Sequence, residues 1–290
     1  MLPMELGSIG IWSSSLRNAP QGEVIEAAAE LEQLGYSALW MPGGMPDGLA
    51  ERIGAMLQAT QDTIVASGIV SVWTHSVAKV AADFSSFEKT HPGRFLLGLG
   101  VSHAHVVQTA GLKYEHPLRQ MNGFLDALDE AAPETMQRRI IAALGPRMLE
   151  VAGRRSLGTH PYFTTPEHTR RARQTLGDGA IVAPEQMVVL ETDAAAARDI
   201  ARGAMARYLA APNYSNNLDR LGFGPADLAN GGSDSLVDAI VAWGEPAKIM
   251  ERIAEHHDAG ADHVCVQVLT GGDPQALPRN QWRRLAGAFR

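Results

Sequence analysis

Eight short apolar runs recur along this chain, and the stretches between them carry helical periodicity. The runs are Ser8 to Trp12, Ala38 to Met41, Ile64 to Val70, Phe95 to Leu99, Arg139 to Leu144, Thr159 to Phe163, Gln186 to Leu190 and His263 to Leu269. Alternation of this kind builds βα units around a parallel sheet, and eight is the number of strands that closes a barrel. The expected fold is therefore α/β, a (β/α)8 TIM-type barrel occupying residues 1–290 as one domain. A chain of 290 residues buries about three quarters of its unfolded surface, enough for such a core.

The connecting segments fit this plan. Val24, Ala28 and Leu31 fall at i, i+4 and i+7, and Ile249 and Ile253 form an i, i+4 pair, so each segment offers one apolar stripe to the sheet. Leu34-Gly35-Tyr36 and Ala259-Gly260-Ala261 place glycine where a left-handed cap turns a helix into the next strand. Helices are expected to open after Ala19-Pro20 and Glu245-Pro246, where the fixed φ of proline suits a first turn. Asp193 to Gly244 is too long for one crossover. It reads as an extra helical excursion between strands seven and eight, with Pro212 to Asn217 as a polar turn and Pro225 to Trp243 as a helix broken at Gly231-Gly232.

Charge and composition exclude several classes. The formal net charge is -7 with dispersed basic residues, so no broad positive field exists to displace counterions from nucleic acid. No uninterrupted apolar stretch approaches the ~18 residues of a membrane span, and no basic-then-apolar leader opens the chain. A soluble cytoplasmic protein acting on a small molecule is expected. The single cysteine, Cys265, lies in an apolar run and reads as a buried strand thiol.

In a barrel of this kind chemistry sits where strands end at the C-terminal face. After the fourth strand, Gly98-Leu99-Gly100-Val101-Ser102-His103-Ala104-His105 combines two glycines, which let a flat ring approach backbone, with a histidine able to carry a proton near neutrality. The segment matches neither a dinucleotide fingerprint nor a nucleophile elbow. An H-x-H metal pair completed by Glu115 or His116 is an alternative, although no acidic residue of obvious ligand spacing follows. After the fifth strand, Leu144-Gly145-Pro146-Arg147 runs through glycine into a helix opened by proline. Its free N–H groups and positive dipole end form a phosphate seat that Arg147 can reinforce. Gly68 inside the third run marks a bulge or a close backbone approach. Trp12 and Trp73 could wall an aromatic pocket, His160 and Tyr162 follow the sixth strand, and Pro42-Gly43 after the second offers an apolar rim without ionisable groups.

These residues together resemble the luciferase-like monooxygenase superfamily, in particular its branch that uses the deazaflavin coenzyme F420. The resemblance spans nearly the whole chain: Leu34-Gly35-Tyr36 with Leu39-Trp40, His91-Pro92-Gly93-Arg94-Phe95 leading to Gly98-Leu99-Gly100, Leu144-Gly145-Pro146, Thr165-Pro166-Glu167-His168, and Gly260-Ala261-Asp262-His263. It implies an F420-dependent oxidoreductase that moves hydride to or from a small organic substrate, with FMN as the alternative coenzyme. A barrel that binds flavin without turnover is a further alternative. It also implies a homodimer, a non-proline cis peptide at Gly68-Ile69 behind the central ring, and a phosphate turn at Leu144, Gly145, Pro146 and Arg147. His103 stands where related dehydrogenases hold a catalytic glutamate and is the expected proton carrier. Pro42, Gly43, Gly100, Val101, Ser102 and His160 complete the expected coenzyme site, which includes no metal. Pro42 and Gly43 replace the acidic residue and histidine that sugar-phosphate dehydrogenases of the family place after the second strand, so that substrate is not implied.

Overall fold

The computed structural model describes Met4 and residues 6–273 and 275–289. Eleven strands form one parallel sheet: β1 Ile9–Trp12, β2 Ala38–Met41, β3 Ile64–Ser67, β4 Val70–Ser71, β5 Phe95–Gly100, β6 Arg139–Ile141, β7 Gly158–Thr159, β8 Ile181–Val182, β9 Glu185–Val189, β10 Val241–Trp243 and β11 Val264–Val268. Their order is β10-β9-β11-β1-β2-β3-β5-β6-β7-β8, with β4 beside β5. β8 and β9 are separated only by Ala183 and Pro184. The first pairs with β7 and the second with β11, so the two ends of the path are one bent stave and the sheet closes as a TIM-type barrel. β10, from the excursion, is an addition that pairs with β9.

Alternation along each strand sorts side chains between two layers. Ala38, Trp40, Ile64, Ala66, Leu96, Ile140 and Cys265 face the barrel interior, while Ile11, Leu39, Met41, Val65, Leu97, Ile141 and Val266 pack outward against helices. Both sets are buried, hence the continuous apolar runs in the sequence. The helix Gln21–Gln33 supplies Val24, Ala27, Ala28 and Leu31 to that outer layer, and Pro246–Asp258 supplies Ile249 and Ile253. Both helices end in the same way: Gly35 (φ 91°) and Gly260 (φ 99°) are left-handed, and the following amides, Tyr36 and Ala261, donate back to Leu31 and His256. This is a Schellman cap used twice.

Several expected boundaries are corrected. The third run is not one strand: Ala66 pairs with Leu96 and Val70 with Leu99, so four steps on one side oppose three on the other. The extra residue is a bulge at Gly68-Ile69, whose peptide is cis. The fifth run stops at Ile141. The sixth keeps only Gly158–Thr159, because Pro161 has no N–H for the ladder and Phe163 turns to φ 56°. Pro212 to Asn217, expected as a turn, lies in the helix Pro212–Arg220, whose Tyr214, Asn217 and Leu218 are buried. A short helix, Ser15–Asn18, precedes Ala19-Pro20. The excursion otherwise contains Ala194–Leu209, Pro225–Leu228 and Asp234–Ile240, interrupted at Gly231 and Gly232 as expected. It packs its own apolar cluster, centred on Met205, Leu218, Leu236 and Ile240, against Phe163, Met187 and Val189 of the barrel. No helix among the described residues is long and apolar enough to cross a membrane.

Candidate active site

At the C-terminal mouth of the barrel lies a cavity of about 730 Å³, within the range of cofactor and substrate sites. Its floor rises from the interior layer. Trp40 lies under His160, rings stacked at 4.3 Å, and is held by its own N–H donating to His263 Nε2 at 3.2 Å. His160 Nδ1 donates to the Ala183 carbonyl at 2.7 Å. Complete burial pushes its pKa down to about 4, so the ring is neutral and Nε2 is a bare acceptor. That Nε2 and the indole N–H of Trp12 are both buried without a partner. Both converge on Gly68, where an added Cβ would lie 2.6 Å from Trp12 Nε1 and 3.0 Å from His160 Nε2.

One wall is backbone. The bulge at Gly68-Ile69 is enclosed by glycines whose Cβ positions are already occupied: Gly98 by the Ser67 carbonyl at 1.8 Å, Gly43 by the Ile69 carbonyl at 2.4 Å, and Gly100 by Ile69 Cδ1 at 2.6 Å. Ser67 Oγ mends the interrupted ladder, accepting from Gly98 N–H at 2.9 Å and donating to its carbonyl at 3.0 Å. The result is a wall without projecting side chains at Gly68 and Gly100, onto which a planar ring can be laid. Gly43 is corrected in one respect: it is buried behind the bulge and does not itself line the cavity, whereas Pro42 and Gly44 do. Trp73 is corrected likewise. It lies behind the lining, donating to the Val101 carbonyl at 2.9 Å and packing on Tyr114.

Beyond the bulge, Val101, Ser102 (φ 54°) and His103 line the cavity. His103 precedes the helix Ala104–Thr109, stacks on His105 and packs against Tyr214. Its Nδ1 lies 3.3 Å from Asn213 Oδ1, an acceptor, which leaves Nε2 unprotonated in the neutral ring. Burial lowers its pKa, and Arg207 lowers it further. His116 and Glu115 are exposed, and among the described residues no three His, Cys, Asp or Glu side chains gather as a metal site.

At the opposite end stands the helix Pro146–Arg155, with Gly145 before its first residue. Leu144, Gly145, Pro146 and Arg147 all line the cavity. The Gly145 carbonyl receives Met148 and Leu149 N–H, proline contributes no donor, and the Arg147 amide is free to point at a ligand. Buried His168 fixes the turn through Nε2, which donates to the Leu144 carbonyl at 3.0 Å. Arg220 Nη2 comes within 3.8 Å of the Cβ position of Gly145.

The far wall comes from the excursion and was not assigned to the site from sequence. It holds Arg207, Tyr208, Asn213, Tyr214 and Arg220. In the sequence Arg207-Tyr208, at the end of the alanine-rich helix Ala194–Leu209, and Asn213-Tyr214, in the next helix, are ordinary residues with no local signal of a site. Here hydrogens run in one direction. Arg207 Nη2 donates to Tyr208 Oη at 2.6 Å, Tyr208 donates to Tyr162 Oη at 2.7 Å, and Tyr162 donates to Gln267 Oε1 at 2.7 Å. Although the chain carries 32 acidic residues against 25 basic ones, the lining includes three arginines and three histidines but no carboxylate. The cavity is built to receive negative charge.

The chain matches known proteins by family model, sequence and fold. The sequence model of the luciferase-like monooxygenase family matches residues 6–263. A 5,10-methylenetetrahydromethanopterin reductase of Methanolobus tindarius is 23% identical over 84% of this chain and 90% of its own length. Among solved structures, the coenzyme F420-dependent tetrahydromethanopterin reductase of Methanopyrus kandleri superposes with a TM-score of 0.75 at 15% identity, covering 99% of this chain and 98% of that one. The oxygenating constituent of 3,6-diketocamphane monooxygenase of Pseudomonas putida, in complex with FMN, superposes with a TM-score of 0.68 at 13% identity over 97% and 96%. A barrel closed through a bent seventh stave, a glycine-enclosed bulge in its third and a family match over most of its length together place this chain in the luciferase-like monooxygenase family.

Proposed function

We propose that this chain is an F420-dependent oxidoreductase, transferring hydride between the deazaflavin and a small organic substrate. The observation that carries the reading is the carboxylate-free cavity, with a side-chain-free wall on one side and a helix N-terminus flanked by Arg147 and Arg220 at one end. A coenzyme with a planar ring and an anionic tail matches all three. The partnerless N–H of Trp12 and Nε2 of His160 match the mixed donors and acceptors on the edge of such a ring.

When bound, the deazaflavin supplies a ring carbon that accepts or releases hydride. The protein supplies the rest. Gly68, Ile69 and Gly100 set the plane, while the Arg147 amide, Gly145 and the two arginines hold the tail. Neutral His103, oriented through Nδ1 by Asn213, presents Nε2 to take a proton from a substrate hydroxyl as hydride leaves its carbon. Tyr208 and Tyr162 spend their phenolic hydrogens internally, so neither competes with His103, whose neutral ring can take a proton near neutral pH.

Titration of the purified protein with oxidised F420, followed by its fluorescence, tests the reading: saturable one-to-one binding is expected, and no binding overturns it. A second reading, an FMN monooxygenase on the same scaffold, is favoured by the structural match to the FMN-bound 3,6-diketocamphane monooxygenase constituent. Parallel titration with FMN separates the two, because the reading proposed requires F420 to bind more tightly.

A further inference from the structure

The arginines of the cavity divide by position. Arg147 and Arg220 flank Gly145, at the tail end. Arg207, from the same excursion as Arg220, lies instead at the His103 end, near enough to His103 to oppose its protonation. Arg198 and Arg202, on the same helix as Arg207, are both ion-paired, Arg198 with Asp234 at 2.8 Å and with Asp238, Arg202 with Asp234. Among the described residues Arg207 has no carboxylate partner. It is nonetheless held in place: Nη2 donates to Tyr208 Oη, and the guanidinium lies 4.6 Å from the centre of the same ring. A guanidinium fixed against an aromatic face but left unneutralised, with Nε and Nη1 still available, is arranged to meet an oxyanion. The hydroxyls beside it cannot compete as donors, because Tyr208 donates to Tyr162 and Tyr162 to Gln267. The surroundings are otherwise largely apolar, with Val106, Tyr114, Leu118 and Tyr214 on the lining.

We propose that the substrate is an amphipathic carboxylate, whose charged group docks on Arg207 while its carbon body lies among Val106, Tyr114, Leu118 and Tyr214 beside His103. The assignment rests on the coenzyme reading above and adds to it the class of molecule oxidised or reduced.

The test uses the full-length protein loaded with F420 and two probes of equal shape, 3-phenylpropanoate and its uncharged amide 3-phenylpropanamide, with binding read by calorimetry. The acid is expected to bind at least about ten-fold more tightly than the amide, the scale of a charge-assisted hydrogen bond, and to weaken with added salt. Arg207→Gln is expected to erase that preference, leaving F420 affinity and far-ultraviolet circular dichroism unchanged. Arg207→Lys, which keeps the charge but loses the fork, should retain part of it. Equal affinity of acid and amide for the wild type overturns the proposal, as does no measurable binding of the acid at millimolar concentration. A loss of F420 affinity in Arg207→Gln with no effect on the acid also overturns it, since it would assign Arg207 to the coenzyme. Failure of the wild type to bind F420 at all is a separate result that removes the coenzyme reading. The acid and amide comparison on the unloaded protein would then still decide whether Arg207 selects carboxylates.

Discussion

The two walls of the cavity are built from different material. The wall around the third and fourth staves is mostly backbone: Gly68, Ile69 and Gly100 face the cavity, with Gly98 packed behind them and the bulge locked by the two hydrogen bonds of Ser67 Oγ. The wall from the excursion is side chains: Arg207, Tyr208, Asn213 and Tyr214, joined by hydrogen bonds and ring contacts. A backbone wall can be shaped for one flat partner and tolerates no additions. A side-chain wall can be re-dressed by substitution while the barrel stays intact. The contrast suits a site that takes one flat ligand against its fixed wall and selects a second through side chains on the other.

The largest effect should come from adding one methyl to the backbone wall. In Gly98→Ala the new Cβ would lie 1.8 Å from the Ser67 carbonyl, and the Ser67 bridge prevents the strands from parting. A loss of about 3 kcal/mol or more of stability in urea unfolding is expected, together with loss of coenzyme binding. Near-native stability would mean that this wall is softer than its geometry implies.

On the facing side, His103→Ala should leave the fold and F420 affinity in place while turnover falls about 10²-fold or more, the usual scale for a proton-transfer group. The sign of the pH profile follows from the lowered pKa of His103. The neutral ring is the working form for hydroxyl oxidation, so the wild-type rate should be flat near neutrality and fall as pH drops through a value below the ordinary histidine range. An unchanged rate in the variant would remove His103 from the mechanism.

Gly145→Asp sharpens the distinction between the tail end and the wall of side chains. A carboxylate placed before Pro146 repels an anionic tail and should weaken F420 by about ten-fold or more, the scale of a charged hydrogen bond turned into repulsion. The Arg207-dependent acid preference should persist. Wild-type affinity in fluorescence titration would relocate the anion seat.

A further effect, spread over several pH units and separate from ligand binding, is one of stability beneath the tyrosines. Glu185 is buried, receives Phe163 N–H on Oε2 at 3.1 Å and has no partner for Oε1. Burial raises its pKa to about 8, so the folded protein holds this proton where the unfolded chain, near 4.5, releases it. Its contribution to stability is complete below 4.5 and is lost as pH rises from there to about 8, at up to about 1.4 kcal/mol per pH unit. Glu185→Gln should flatten that decline in urea unfolding between those limits. An unchanged slope would show that Glu185 is not its source. On the acid side, His160 and His168, both near 4 in the fold, add stability that is lost as pH falls from 6.5 toward 4, and the same series would register both limbs.

The two walls also differ in how far they could be read in the primary sequence. Gly68, Gly100 and the Leu144-Gly145-Pro146-Arg147 turn declared themselves because glycine inside an apolar run and proline after glycine have local meanings that hold in any context. The resemblance supplied the cis bond at Gly68-Ile69, and the structure has it. Arg207, Tyr208 and Tyr214 carried no such mark, since a cation or an aromatic on a helix is ordinary until its neighbours are known. Pro212 to Asn217 departs from expectation for the same reason. Its polar composition suggested a turn, but burial of Tyr214, Asn217 and Leu218 against the barrel decides for helix.

The sequence by itself determined the repeating unit, its two Schellman caps, the closure number of eight and the position of the glycine-rich wall, because these follow from interactions among residues close together in the chain. Only the tertiary structure decided that the seventh stave bends to close the barrel, that Trp12 and His160 meet over Gly68, and that Arg207 lines the cavity with no carboxylate among the described residues to meet it. Those features depend on which side chains are brought together from distant positions and which are left unpaired there. Pairing and burial are properties of the assembled molecule and have no period along the chain.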